Sequence, residues 1–178
     1  MHIPDGFIPL LQTIIYWIIA LLFIALALRW ARKELSEEKV PIVAVLAAAI
    51  FAIQAFNLPV GMGTSGHLVG GALAAIILGS PYAAVFILSI VLIIQGVIFG
   101  DGGITTMGAN IVNMGVIGGF VGFYAFTGFK SAIKNPYVSA GIAAWFACVI
   151  PALAASVELW IAGRSEEHTS ELQSRQVI

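Results

Sequence analysis

The sequence predicts an all-α, polytopic membrane helix bundle, and three observations carry that prediction. Hydrophobic residues fill 60% of the 178 positions, charged residues only 10%, and mean hydropathy is +1.02. A soluble domain is nearer half apolar and a quarter charged. The apolar residues fall in runs of about the 20 needed to cross a bilayer as a helix, the one local fold that satisfies its own backbone in lipid. The basic residues of the apolar part gather in two loops.

Six runs follow in order. Before the first, Pro4-Asp5-Gly6 reads as a turn, with Pro setting φ and Gly accepting positive φ, and it folds the short tail Met1–Phe7 back over the bundle. Pro9–Trp30 is long enough to be a span and carries no basic residues ahead of it, so it reads as a span and not as a cleaved leader. Val40–Phe56 is the second. Leu68–Leu78 is too short to cross alone. It counts because Gly79-Ser80-Pro81 turns it into the next run and because Gly70-Gly71-Ala72 suits close packing inside a bundle. Tyr82–Phe99, Met107–Phe129 and Val138–Ile161 complete the set.

Charge orients these spans. Arg29, Arg32, Lys33 and Lys39 separate the first two, and Lys130 and Lys134 separate the last two, so both loops are expected in the cytoplasm. The two loops are an even number of spans apart only if the short run is counted. The tail, the Asn57–His67 loop, the Gly100–Thr106 loop and the end of the sixth span then face outside. That places Met1, His2 and His67 on one face without having used them in the assignment.

This shared face matters because His2 stands next to the chain's first residue. An α-amine, the deprotonated His2 amide and the His2 imidazole close fused chelate rings around a divalent ion, and planar nitrogen donors suit Ni(II) or Cu(II). Taken singly, His2 is as well explained by a frayed terminus and His67 by a satisfied interior histidine. Together on one face they make a candidate site. Proton competition at ordinary imidazoles would weaken binding as pH falls through about 6.5. Asp5 either orients an imidazole or only stabilises its turn. Asn110 and Asn113, three apart, are expected to bond Gln95 or Asn57 across helices. Glu158 is the single acid inside an apolar run, close to Trp160 and the bilayer interface. Gly115, Gly118, Gly119 and Gly122 form two overlapping Gly-x-x-x-Gly pairs, which mark a close helix contact inside the chain or with another subunit.

Several function classes drop out. The net charge of −1 and the lack of a basic stripe exclude a nucleic-acid role. Cys148, the single cysteine, lies in an apolar run and reads as a small buried hydrophobe. An enzyme would need a nucleophile or acid–base constellation, and Asp101 and Glu158 alone do not supply one. A structural or scaffolding membrane subunit without a metal site is the alternative that remains. Residues 164–178 change abruptly to a polar segment and resemble the translation of a sequencing-adapter oligonucleotide. The expectation is an integral membrane metal-capture domain over 1–163 and a non-native polar tail over 164–178.

The motifs Met1-His2-Ile3-Pro4-Asp5-Gly6-Phe7, Gly63-Thr64-Ser65-Gly66-His67-Leu68 and Gly100-Asp101-Gly102-Gly103-Ile104-Thr105-Thr106-Met107-Gly108-Ala109-Asn110 resemble the signatures of the CbiM/NikM family. These are substrate-capture components of energy-coupling factor transporters for cobalt or nickel. The resemblance covers Met1 through Gly163. It implies that Met1, His2 and His67 hold Ni2+ or Co2+ as transported substrate in a near-planar set of four nitrogens, with Asp5, Asp101 and Asn110 supporting them and no organic cofactor. It also implies a prokaryotic plasma membrane location with the N-terminus outside, a transmembrane coupling subunit and cytoplasmic ATPase subunits. The sequence itself contains no Gly-x-x-x-x-Gly-Lys-Ser/Thr nucleotide loop. A seventh span, expected from the family, is missing from the sequence.

Overall fold

A computed structural model describes residues 2–56, 58–61 and 64–176. The extended tail leads through Pro9 into α1 (Leu10–Glu34), whose last turn carries Arg32 and Lys33 against the carbonyl end of the helix. Ser36 and a single 3-10 turn (Glu37–Lys39) reverse the chain into α2 (Val40–Gln54), which has proline in its first turn, where no amide donor is needed. The following loop is more ordered than its glycines suggest. It holds an antiparallel ribbon of β1 (Leu58–Gly61) and β2 (Thr64–Gly66), with Leu58 opposite Gly66, so the all-α expectation gains one small hairpin.

Helix α3 (Gly71–Leu78) is bracketed by Gly70 and Gly79 at φ 78° and 70°, left-handed positions that glycine accepts without strain. The Ser80 hydroxyl accepts the Tyr82 N–H to start α4 (Pro81–Ile94), which runs on as a π-helical turn (Gln95–Phe99) to Gly100. α5 (Met107–Asn110), a π-helical stretch (Ile111–Ile117) and α6 (Gly118–Ile133) form one continuous rod. Lys134, left-handed at φ 59°, breaks it before α7 (Pro136–Gln176).

Six helical rods therefore lie where six apolar runs were expected, but they are unequal. Leu10–Glu34, Pro81–Phe99, Met107–Ile133 and Pro136–Gly163 are long and apolar enough to cross a membrane. At 1.5 Å per residue, the 15 residues of α2 and 8 of α3 reach only about 22 Å and 12 Å, less than the ~30 Å hydrocarbon core. By length and composition, four of the six are candidate spans among the described residues, and α2 and α3 are the two shorter helices. α7 also passes Gly163 without a break, because the polar residues after it include neither Gly nor Pro and are mostly adequate helix formers.

Packing explains the glycines. A Cβ on Gly71 would stand 2.6 Å from the Met114 carbonyl oxygen and 2.9 Å from the Gly119 nitrogen, and one on Gly122 would stand 2.5 Å from the Ala72 Cβ. The glycine pattern of α6 is therefore spent inside the chain, seating α3 and α4. Ile50, Ile87, Leu88, Val91, Ile111 and Met114 fill the core around them. α1 is peripheral and lipid-facing, with Leu10, Leu11, Leu21 and Leu22 exposed. Cys148 is exposed as well, a correction to the buried role expected of it.

Candidate metal centre

The tail is held down by its backbone. Ile3 is fully buried beside Ile8, Ala109 and Ala155. The Ile3 N–H donates to Asn110 Oδ1 at 2.8 Å, and Asn110 Nδ2 donates back to the Ile3 carbonyl at 3.2 Å. The same carbonyl accepts the Thr106 hydroxyl and the Gly103 N–H. Asn110 is thus a two-point amide clamp, and its partners dictate which way its amide faces.

Asp5 forms a second clasp. Its carboxylate accepts the N–H groups of Ile104 (3.0 Å), Thr105 (2.8 Å) and Thr106 (3.4 Å) and the Thr105 hydroxyl. The Thr105 hydroxyl does most to hold its pKa below the ordinary carboxylate value; burial opposes this and the backbone N–H groups assist it. Asp5 therefore straps the tail to the Gly100–Thr106 loop through these four bonds, none of which involves an imidazole. Gly103 must lack a side chain, since a Cβ there would collide with the Asp5 carboxylate and the Thr106 hydroxyl. Gly102, at φ +87°, brings the loop against His2, where a Cβ would lie 3.3 Å from the His2 Cδ2.

The two clasps bury His2, which is 3% exposed. Its ring stacks on His67 with centroids 4.5 Å apart and 25° between planes. His2 Nδ1 lies 3.3 Å from Asp101 Oδ1, near enough for charge interaction but not aligned as a hydrogen bond, and neither His2 ring nitrogen has a hydrogen-bond partner among the described residues. His67 Nδ1 donates to the Leu68 carbonyl at 2.8 Å, which assigns the lone pair to Nε2, a buried atom with no partner. Gln54 secures this segment by donating to the Val69 carbonyl at 2.9 Å. Burial lowers the His67 pKa to about 4, so Nε2 keeps its lone pair through neutral and mildly acidic pH. That differs from the ordinary imidazole value near 6.5 expected from sequence.

The structure thus brings His2, His67, Asp101 and Asn110 together and gives Asp5 a fastening role. Met1 lies outside the described residues. Among the described residues no group of three or more His, Cys, Asp and Glu side chains is placed to hold a metal. The donors on offer are nitrogens: the His2 and His67 rings and backbone at the tail. Each buried ring nitrogen without a partner costs about 1–3 kcal/mol, a cost that a bound cation would remove. His2 Nδ1 and the His2 amide close a six-membered chelate, and such nitrogen donors suit late first-row divalent ions.

Sequence reasoning underrated Thr106 and Gln54, whose only signal was position in or beside the glycine-rich motifs. It also misassigned Asn113. That side chain, fully buried, donates to Glu158 Oε2 at 2.7 Å and not to Gln95; Asn57 lies outside the described residues. Glu158 is 5% exposed, so it is an interior group despite its neighbour Trp160.

The chain is similar to known proteins. Residues 2–177 match the family model for CbiM, the cobalt uptake substrate-specific transmembrane region. The cobalt transport protein CbiM of Clostridium tetani is 34% identical over 164 residues, covering 91% of this chain and 67% of that one. The fused nickel transport protein NikMN of Rhodobacter capsulatus is 38% identical over 165 residues, covering 90% of this chain and 47% of that longer protein. The crystal structure of a truncated transition metal transporter superposes with a TM-score of 0.86 at 34% identity, covering 89% of this chain and 74% of that one. A membrane helix bundle with an N-terminal tail folded onto a histidine pair, matched along nearly its whole length, belongs to the CbiM family of cobalt uptake substrate-specific transmembrane regions.

Proposed function

We propose that this chain captures Ni2+ or Co2+ at the outer face of a prokaryotic plasma membrane as the substrate-binding subunit of an energy-coupling factor importer. The Met1 α-amine, the His2 amide and Nδ1, and His67 Nε2 are the four donors in this reading. The observation that carries it is the buried His2 ring stacked on the half-buried His67, with both His2 ring nitrogens and His67 Nε2 lacking a hydrogen-bond partner among the described residues. A terminus fastened by the Asn110 clamp and the Asp5 clasp supports it, since preorganised donors give up less entropy on binding. Asp101 Oδ1, 3.3 Å from His2 Nδ1, adds a carboxylate beside the proposed donors in this reading. Energy comes from partners in this reading, a transmembrane coupling subunit and cytoplasmic ATPases, because the sequence has no nucleotide-binding loop. Nitrogen donors in a plane favour nickel over cobalt on geometry, and metal content after expression with each ion supplied decides between them.

Calorimetric nickel titration of the purified chain in detergent tests the donor set. His67→Ala, and separately one extra residue ahead of Met1, should each weaken binding at least tenfold while the fold survives. Wild-type affinity in both variants would instead support a scaffolding subunit without this site.

A further inference from the structure

Among the described residues Glu158 is the one buried acid, the donor set leaves it unused, and a carboxyl inside a membrane bundle is costly enough to call for a reason. Its polar partners come from two elements packed against α7. Asn113, in the π-helical stretch after α5, donates to Oε2 at 2.7 Å. Gln12, in the first turns of α1, donates to the Glu158 carbonyl at 3.0 Å, and the Tyr16 hydroxyl bonds the Glu158 side chain. Those two elements and α7 meet at the root of the tail. Ala155 and Leu159, which flank Glu158 on α7, pack with Tyr16 into the same apolar cluster as Ile3 and Ile8. Asn110, three residues before Asn113, is the clamp on Ile3.

We propose that Glu158 is a positioning residue for metal capture. Its carboxyl pins Asn113, and with it the π-helical stretch Ile111–Ile117, which follows directly on Asn110, the residue that sets the backbone next to His2. A π-helical stretch has no intrinsic preference to persist against ordinary α-helix, so an external anchor is needed to hold its register. Asn113 is the one side chain of that stretch bonded to α7 by a polar contact among the described residues, and both it and Asn110 are almost completely buried. The inference rests on the donor assignment of His2 and His67 proposed above.

The test is a double-mutant cycle on the full chain in detergent, reading nickel Kd by competition with a chromophoric chelator and melting temperature of the metal-free protein. Glu158→Ala and Asn113→Ala should each raise Kd about tenfold, and the double variant should be no worse than either. Glu158→Gln, which keeps the shape and a hydrogen-bond acceptor, should restore Kd to within about threefold of wild type. Gly122→Ala, whose added methyl would meet Ala72 on α3 and no residue of the π-helical stretch, serves as the purely structural control, lowering the melting temperature with little change in Kd. Kd within twofold of wild type in Glu158→Ala, additive effects in the double variant, or no rescue by glutamine would overturn the positioning role. His67→Ala is run beside them. Loss of binding there with retention in Glu158→Ala defeats only this inference; retention in His67→Ala defeats the donor assignment and this inference with it.

Discussion

Replacing Asn110 by alanine isolates what fastening the tail is worth. Two hydrogen bonds to Ile3 are lost, but not equally. The Ile3 N–H has Asn110 Oδ1 as its partner and Ile3 is fully buried, so the donor is orphaned at a cost of about 1–3 kcal/mol. The Ile3 carbonyl keeps the Thr106 hydroxyl and the Gly103 N–H, so losing its third donor costs little. If binding requires the docked tail, the whole cost appears in affinity, a weakening of about 5- to 150-fold. Thr106→Val removes one of three donors to a still-satisfied carbonyl and should weaken nickel binding by about twofold or less. Competition titrations against a chelator of known affinity, on both variants at one pH, give the comparison directly. Equal Kd values for Asn110→Ala and wild type, or a larger loss in Thr106→Val than in Asn110→Ala, would refute the view that the tail's docking limits capture.

Two further outcomes follow from the geometry. Gly71→Ala forces a methyl group against the Met114 carbonyl, which is backbone and cannot swing away, and should cost about 1–3 kcal/mol of stability, seen as a melting temperature several degrees lower; Gly128→Ala, where a Cβ meets nothing within 4 Å, should leave it unchanged or slightly raised. His67 takes up a proton near 6.5 when unfolded but only near 4 when folded, so its share of stability is complete above about 6.5 and is lost as pH falls toward 4. Melting of the metal-free protein should therefore decline between pH 7 and 5, and His67→Gln should flatten that decline; an identical slope in the variant would remove His67 as the cause.

The apolar runs, the turn before Pro9, the loops and the two histidines of the candidate site were legible because each is written locally. Composition marks what lipid will accept, Gly and Pro mark where a helix stops, and a short tail next to a chelating residue needs no neighbour to be noticed. The parity of the spans even placed His2 and His67 on one face, and the two rings do stack, although α2 and α3 are shorter than the other helices. What the sequence alone did not decide is which polar groups meet. Asp5 fastens residues about 100 positions away, Asn110 clamps Ile3 across 107 positions, and Asn113 finds Glu158 rather than Gln95. The glycines of α6 could have served another subunit as readily as α3 and α4. Hydrogen bonds and close backbone approaches of this kind depend on distances of a few tenths of an ångström between segments remote in sequence. Those distances exist only once the helices have packed, which is why it took the tertiary structure to bury His2 and stack its ring on His67.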